Sequence, residues 1–364
     1  MRKLLGIFVI LFILLIGESF YVGKIYVDKK KLVPTNKPTS TPIPIKISKS
    51  IFVPYWNIDP KADFTSYDRL LYFGISVNNK GINENEDGYK NLNKFVDLKK
   101  SNGQINTILV VRMVDSNINQ NILKDENKQD SLIKESLETA KENKFSGIAL
   151  DLEISTLFNE DITKQIGVFV QKYYTSAKKY YIPFSIIMYG DNFYRKRPFD
   201  MNIIKNNSDE IFIMAYDFHK SIGEPGPNFP LNRGAHYDYD FKQMVTDFTN
   251  FIQKEKINII FGMYGYEWIV DEKRRPIKPA KALTLNEIRK NFLIKCEWED
   301  CIVKRDPYSF ETEINYIDSK IIDTYAAMNM HIIWFEDEES VRAKTEFLKS
   351  ENIGKVSYWV AGYF

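Results

Sequence analysis

From Ile51 onward, short apolar runs alternate with longer amphipathic ones. The apolar runs are Ile51–Tyr55, Arg69–Ser76, Thr107–Val114, Gly147–Leu152, Pro183–Tyr189, Glu210–Tyr216, Ile257–Tyr264 and Lys355–Val360. Each is rich in β-branched or aromatic residues and too short for a helix, so each predicts a buried strand. Segments with helical spacing lie between them and predict helices over Lys128–Asn143, Asp161–Tyr180, Asp240–Lys254 and Glu338–Ser350. Eight buried strands alternating with helices predict an α/β fold, a (β/α)8 barrel of the TIM type. A doubly wound open sheet is the rival, but no glycine-rich phosphate loop follows the first strand.

Two departures modify this pattern. The gap from about Trp268 to Glu336 holds a helical stretch (Thr284–Phe292), both cysteines and several strand-like pieces. That is too much structure for one loop, so it predicts a small α+β insertion, about residues 269–337, between strand seven and helix seven. The sequence also runs only four residues past the eighth strand. The closing helix is therefore expected to be absent, with that flank of the barrel exposed or covered by another segment.

The N-terminus has a different character. Arg2 and Lys3 precede an unbroken apolar run from Leu4 to Ile16, which is long enough for an export signal but short for a full span. Residues 1–28 read as a signal peptide or an N-terminal membrane anchor. Residues 29–49, with Pro34, Pro38, Pro42 and Pro44 among Thr, Ser, Asn and Lys, read as an extended linker. Residues 50–364 are then the barrel, placed outside the cytoplasm, membrane-anchored or secreted.

Composition adds less. The chain of 364 residues is 44% hydrophobic and 14% aromatic, ample for one large core. Residues 1–50 carry nine Lys/Arg and two Asp/Glu, which leaves 41 basic and 46 acidic residues beyond them. A mildly acidic globular part does not suit a nucleic-acid partner. Cys296 and Cys301 lie five apart, and outside the cytoplasm they suit a disulfide closing a short hairpin. A zinc site would need further ligands at suitable spacing, and none is present.

The chemistry concentrates where barrel enzymes keep it, at the C-terminal ends of strands. Strand four ends in Asp151 and Glu153, which period-two alternation places on one face. Strand five ends at Tyr189, strand six at Tyr216 and Asp217, strand seven at Tyr264, Tyr266 and Trp268, and strand eight at Trp359. Carboxylates and aromatics of this kind suit glycosidic bond cleavage. His219 is the only histidine near these ends, so a Ser-His-Asp triad has little support.

Several segments together resemble family-18 glycoside hydrolases, the chitinase-like family. Ser146–Glu153 resembles the strand-four signature D-G-x-D-x-D-x-E, with Ser146 and Ala149 replacing two aspartates. Met214-Ala215-Tyr216-Asp217 resembles the M-x-Y-D segment of strand six, and Gly226-Pro227-Asn228 with Pro230-Leu231 resembles the loop that follows it. Phe261–Trp268 resembles the strand-seven segment, with Met263 in place of proline, and His331–Asp337 resembles members involved in bacterial spore germination. The resemblance implies substrate-assisted retaining hydrolysis beside N-acetylglucosamine, in chitin-like or peptidoglycan glycans. In it Glu153 is the general acid and Asp151 orients the substrate's acetamido group. Tyr216 donates to the acetamide oxygen and Asp217 tunes the proton on Glu153. Trp359, Met214, Tyr264, Tyr189 and Trp56 would line the sugar site, although Trp56 and Trp268 also read as rim packing. No metal or organic cofactor is implied, the partner is a polysaccharide containing N-acetylglucosamine, and the chain reads as a monomer. Ala149 removes a like charge beside Asp151, so Asp151 is expected to be simply ionised. A glycan-binding protein without activity, on the same fold, is the alternative reading.

Overall fold

The computed structural model describes residues 45–364 apart from residues 104, 155–158, 320, 323, 324, 327 and 328. The expected signal or anchor and most of the expected linker lie outside the described residues. Among the described residues no helix is long and apolar enough to cross a membrane.

Seven parallel strands come first: β1 (Ser48–Pro54), β2 (Arg69–Asn78), β3 (Asn106–Met113), β4 (Gly147–Leu152), β5 (Phe184–Tyr189), β6 (Glu210–Ala215) and β7 (Ile257–Gly262). Each pairs with the next in parallel. The insertion then supplies β8 (Tyr264–Val270), β9 (Lys281–Thr284), β10 (Glu299–Arg305), β11 (Thr312–Asp318) and β12 (Asn329–Phe335). The eighth barrel strand, β13 (Lys355–Trp359), pairs with β7 on one side and β1 on the other, which closes the barrel. Helices α1 (Leu92–Ser101), α2 (Ser116–Leu123), α3 (Glu126–Glu142), α4 (Glu160–Lys179), α5 (Met201–Asn206), α6 (Phe241–Thr249) and α8 (Glu338–Ser350) lie along the barrel part of the chain, with α7 (Leu285–Ile288) inside the insertion.

The strands are mostly apolar because they are buried on both faces. Alternate residues fill the barrel: Phe52, Leu71, Ile108, Val110, Ala149, Phe212 and Ile260 form one interior cluster. Their neighbours in sequence, such as Ile148, Leu150 and Ile211, belong to the larger cluster shared with helix residues Leu132, Leu137, Phe169 and Val170. Helix starts follow the sequence closely. Asp115, Asp125, Asn159, Asp200, Asp240 and Asp337 each accept backbone N–H groups as N-caps of α2, α3, α4, α5, α6 and α8. Each such cap is worth about 1 kcal/mol.

Two boundaries differ from the sequence expectation. Strand seven stops at Gly262, and Tyr264, Tyr266 and Trp268 belong to β8, the inner strand of a five-stranded antiparallel sheet in the order β9-β8-β12-β11-β10. The insertion sheet therefore starts at Tyr264, five residues earlier than the pattern suggested. The run Ile257–Val270 has almost no polar break, so hydropathy does not register the exit from the barrel. The helix expected over Asp240–Lys254 ends at Thr249, and a single 3-10 turn at Lys254–Lys256 leads into β7. Cys296 and Cys301 are joined, with Cα atoms 6.3 Å apart, just before and within β10. No helix follows β13 among the described residues. That flank carries a groove of about 440 Å³ whose walls include Ile47, Tyr67, Met263, Val341, Tyr358 and Phe364.

Candidate active site

The C-terminal ends of the barrel strands open into a cleft of about 300 Å³. Asp151, Glu153, Tyr189, Met214, Tyr216, Asp217, Tyr264 and Trp359 all line it, so eight of the nine residues proposed from sequence for catalysis and sugar contact converge there. Trp56 is the exception. It is 48% exposed and packs edge-on to Tyr55 and Phe73 at the rim. Trp268 is fully buried within the insertion, and its indole N–H donates to the carbonyl of Gly223 at 3.0 Å.

Alternation along β4 points Ala149 and Asp151 into the barrel, and Glu153 follows one step beyond the strand. Asp151 is 3% exposed and its Oδ1 has no protein partner. Burial, reinforced by Glu153, holds its carboxyl well above the ordinary range, against the opposing charge of Arg112. This corrects the expectation of a simply ionised Asp151. Deleting the neighbouring carboxylate at position 149 removes one like charge, but desolvation is the larger cause and Glu153 supplies another. Glu153 is half-buried and also raised, by burial first and by Asp217 in part, while the Tyr189 hydroxyl, Lys220 and Arg197 oppose the shift. Tyr189 donates to Glu153 Oε2 at 3.0 Å. The two carboxyls thus hold a proton more tightly than ordinary exposed carboxyls do, chiefly because both are withdrawn from water.

Asp217 is held from several sides. Its backbone is left-handed, φ 57°, and its N–H donates to Asn228 Oδ1 at 2.8 Å. Its carboxylate accepts from the hydroxyls of Tyr264 and of Tyr266, the latter at 2.9 Å. Asn228 is itself fixed: its Nδ2 donates to the carbonyl of Gly262 at 3.1 Å, and its backbone N–H donates to Glu311. Glu311 also accepts from Phe229 N–H at 2.8 Å and from Lys344 Nζ at 2.9 Å. Lys344 bonds both oxygens of Glu336, at 2.7 and 2.8 Å, in a fully buried triad. A side chain at Gly262 would collide with Tyr216, its Cβ coming 2.7 Å from that of the tyrosine, so glycine lets β7 approach the site this closely.

The floor is aromatic. Trp359 stacks near Tyr216 at 6.4 Å and 23° and meets Phe73 edge-on at 4.6 Å. Flat, half-buried rings of this kind suit the apolar face of a sugar. Three further cleft residues with titratable side chains escaped the sequence reading: Lys220, Asp191 and Tyr363. Lys220 lies 5.6 Å from the Tyr189 ring centroid. Asp191 anchors Arg197 at 2.9 Å and also bonds Arg195, and Arg197 stacks 4.1 Å from Tyr189. These residues sit in loops beyond strand ends, and only Asp191, two residues after strand five, lies where end-of-strand reading would reach it. His219 is half-buried with Nδ1 against the carbonyl of Pro227 at 2.7 Å, and its withdrawal from water lowers its pKa.

With this geometry in place, comparison with known proteins decides the family. The model of "Glycosyl hydrolases family 18" matches residues 25–363. The chain belongs to this family. Within it, the Cortical fragment-lytic enzyme of Bacillus anthracis is 23% identical over 156 residues, covering 42% of this chain and 31% of that one. This chain thus matches under half the length of the curated relatives. Among solved structures, the Bacillus cereus spore cortex-lytic enzyme SleL superimposes with a TM-score of 0.68 at 20% identity, covering 88% of this chain and 72% of that one. A family 18 N-acetylglucosaminidase from Paenibacillus barengoltzii gives 0.73 at 15% identity, covering 88% and 96%. At these identities the structural matches establish the family's barrel fold.

Proposed function

We propose that this chain is a glycosidase that cleaves β-glycosidic bonds beside N-acetylglucosamine by substrate-assisted retaining catalysis. The observation that carries the reading is the convergence of Asp151, Glu153, Tyr216 and Asp217 on one aromatic-floored cleft. Glu153 is the one carboxyl there that is raised, half-open to the cleft and supported by a donor that fixes its orientation, which suits a general acid. The other carboxyl, Asp151, lies deeper and points an unpartnered oxygen inward. It suits a partner for the acetamide N–H of a bound sugar, whose carbonyl oxygen serves as nucleophile. No side chain in the cleft needs to attack the anomeric carbon, which places the reaction among the exceptions to the two-carboxylate scheme. Tyr216 donates to the acetamide oxygen. Asp217, clamped by two tyrosines, raises Glu153 through its charge. The relatives named for cortical and N-acetylglucosaminidase activity support a substrate containing N-acetylglucosamine. The apolar N-terminal run supports an exported protein, anchored or secreted.

The test is product analysis on N-acetylglucosamine oligomers and on purified peptidoglycan, side by side, with the anomeric configuration of the first product read by proton NMR. The β-anomer is expected to appear first, and α-first product overturns the retaining mechanism. Binding of either glycan with no cleavage of both favours the glycan-binding alternative.

A further inference from the structure

One row across the barrel has polar atoms without protein partners, and of these the site so far described uses only the Asp151 oxygen. Ser76 on β2, Arg112 on β3 and Asp151 on β4 are register partners on adjacent strands. Arg112 lies in step with Ile108 and Val110, which point into the barrel. Ser76 Oγ, Arg112 Nε and Nη1, and Asp151 Oδ1 are all buried without a protein hydrogen-bond partner. Buried polar atoms are nearly always bonded, so several in one row mark a place where polar chemistry is arranged. The guanidinium carbon lies over two rings, 5.3 Å from the Tyr55 centroid and 4.8 Å from that of Phe73. Such stacking fixes the position of a cation that cannot lose its proton.

This row stands beside the position where the chain departs from its family pattern. Ala149, 0% exposed, has Val110 as its register partner on β3. Where the pattern has a carboxylate this chain has only a methyl group, with Ser185 as its register partner on β5, and the neighbouring charged group one step up is a cation.

We propose that Arg112 is the positioning residue that stabilises and aims the Asp151 carboxylate, replacing the support that a carboxyl at position 149 would give; this rests on the reading of Asp151 as the acetamide-orienting group. A neighbouring carboxyl can help Asp151 ionise by taking up the shared proton. A fixed guanidinium does so by direct attraction, against the burial that favours the protonated form. The other groups facing Asp151 act in the opposite direction or through Glu153. Glu153 on its own segment and the hydroxyls of Tyr189 and Tyr216 surround it. Asp217, Lys220 and Arg197 act on Glu153. Arg112 is the cation among these that acts on Asp151 itself.

The experiment uses the full chain as wild type, Arg112→Met, Arg112→Lys, Ala149→Asp and the double variant Ala149→Asp/Arg112→Met. Two quantities are read: the pH profile of kcat/KM on N-acetylglucosamine oligomers, and the carbon-13 titration of the Asp151 carboxyl, assigned with Asp151→Asn. In Arg112→Met the Asp151 carboxyl is expected to stay protonated to higher pH. The acid limb should move up, and kcat should fall by about 10-fold or more with a smaller change in KM. Arg112→Lys should keep most of the wild-type limb. Ala149→Asp should lower activity in the wild-type background, by drawing Arg112 away, and raise it in Arg112→Met. An Asp151 titration and pH profile unmoved by Arg112→Met, whatever happens to stability, overturns the proposal; so does additive behaviour of the two substitutions. Ala149→Asp alone tests the coupling if Arg112→Met does not fold. If the wild type cleaves no glycan, the activity reading fails, and the carbon-13 titration still decides the role of Arg112.

Discussion

Replacing Asn228 with alanine tests how the loop after strand six holds Asp217 in place. The Asn228 side chain accepts from Asp217 N–H at 2.8 Å and donates to the Gly262 carbonyl at 3.1 Å, and the residue is 2% exposed. Removing the amide strands the Asp217 N–H, a cost of about 1–3 kcal/mol, and loses a second hydrogen bond worth about 1 kcal/mol. The expected loss is therefore about 2–4 kcal/mol in urea unfolding. The activity should respond more sharply. Once released, Asp217 can relax toward right-handed backbone and pull its carboxylate from Tyr264 and Tyr266. A displacement of about 1 Å at a catalytic group costs roughly 100-fold, so kcat/KM should fall by about 10- to 100-fold. A stability change below about 0.5 kcal/mol together with unaltered kcat/KM would refute the clamp.

Two further outcomes follow from the same network. Tyr189 donates to Glu153 Oε2 and favours its carboxylate form, so Tyr189→Phe raises the Glu153 pKa and moves the alkaline limb of kcat/KM to higher pH; an unmoved or lowered limb counts against Glu153 as the titrating acid. Glu336 is pushed up to about 8 by burial, with Glu311 adding and Lys344 opposing. A raised carboxyl favours the protonated folded state, so its stabilisation is complete below the ordinary carboxylate range and is lost as pH climbs through about 8. Glu336→Gln should flatten the fall in melting temperature between pH 5 and pH 8, and an unchanged slope would assign that fall elsewhere.

Much of this was legible in the chain because the signals are local. A strand buried on both faces must be mostly apolar, and all eight barrel strands have an apolar run. Asp115, Asp125 and Asn159 cap helices because short polar side chains just ahead of a helical pattern can reach the free N–H groups. Asp151, Glu153, Tyr216 and Trp359 stand at strand ends, where a closed barrel must gather them. What failed was non-local. The barrel exit at Gly262 lies within one apolar run, so only the new pairing partners of Tyr264–Val270 reveal it. The state of Asp151 depends on burial and on a register partner 39 residues away, neither visible in the strand-four segment. Lys220 enters the cleft from the loop beyond β6, where it meets the Tyr189 ring, and no spacing rule reaches it. Glu311 and Lys344 lie in or beyond the insertion, and only the folded chain brings them under Asn228.

The central claim is that Glu153 delivers the proton while the substrate supplies the nucleophile. Its most direct test is the full chain carrying Glu153→Gln, assayed on an N-acetylglucosamine oligomer that the wild type cleaves. The change keeps the shape of the side chain and its contact with Tyr189 but removes the acid. kcat should fall by about 1000-fold, within the span typical of a general acid, with the oligomer still bound at near wild-type affinity by calorimetry. Turnover within about 10-fold of wild type, with binding intact, would contradict it.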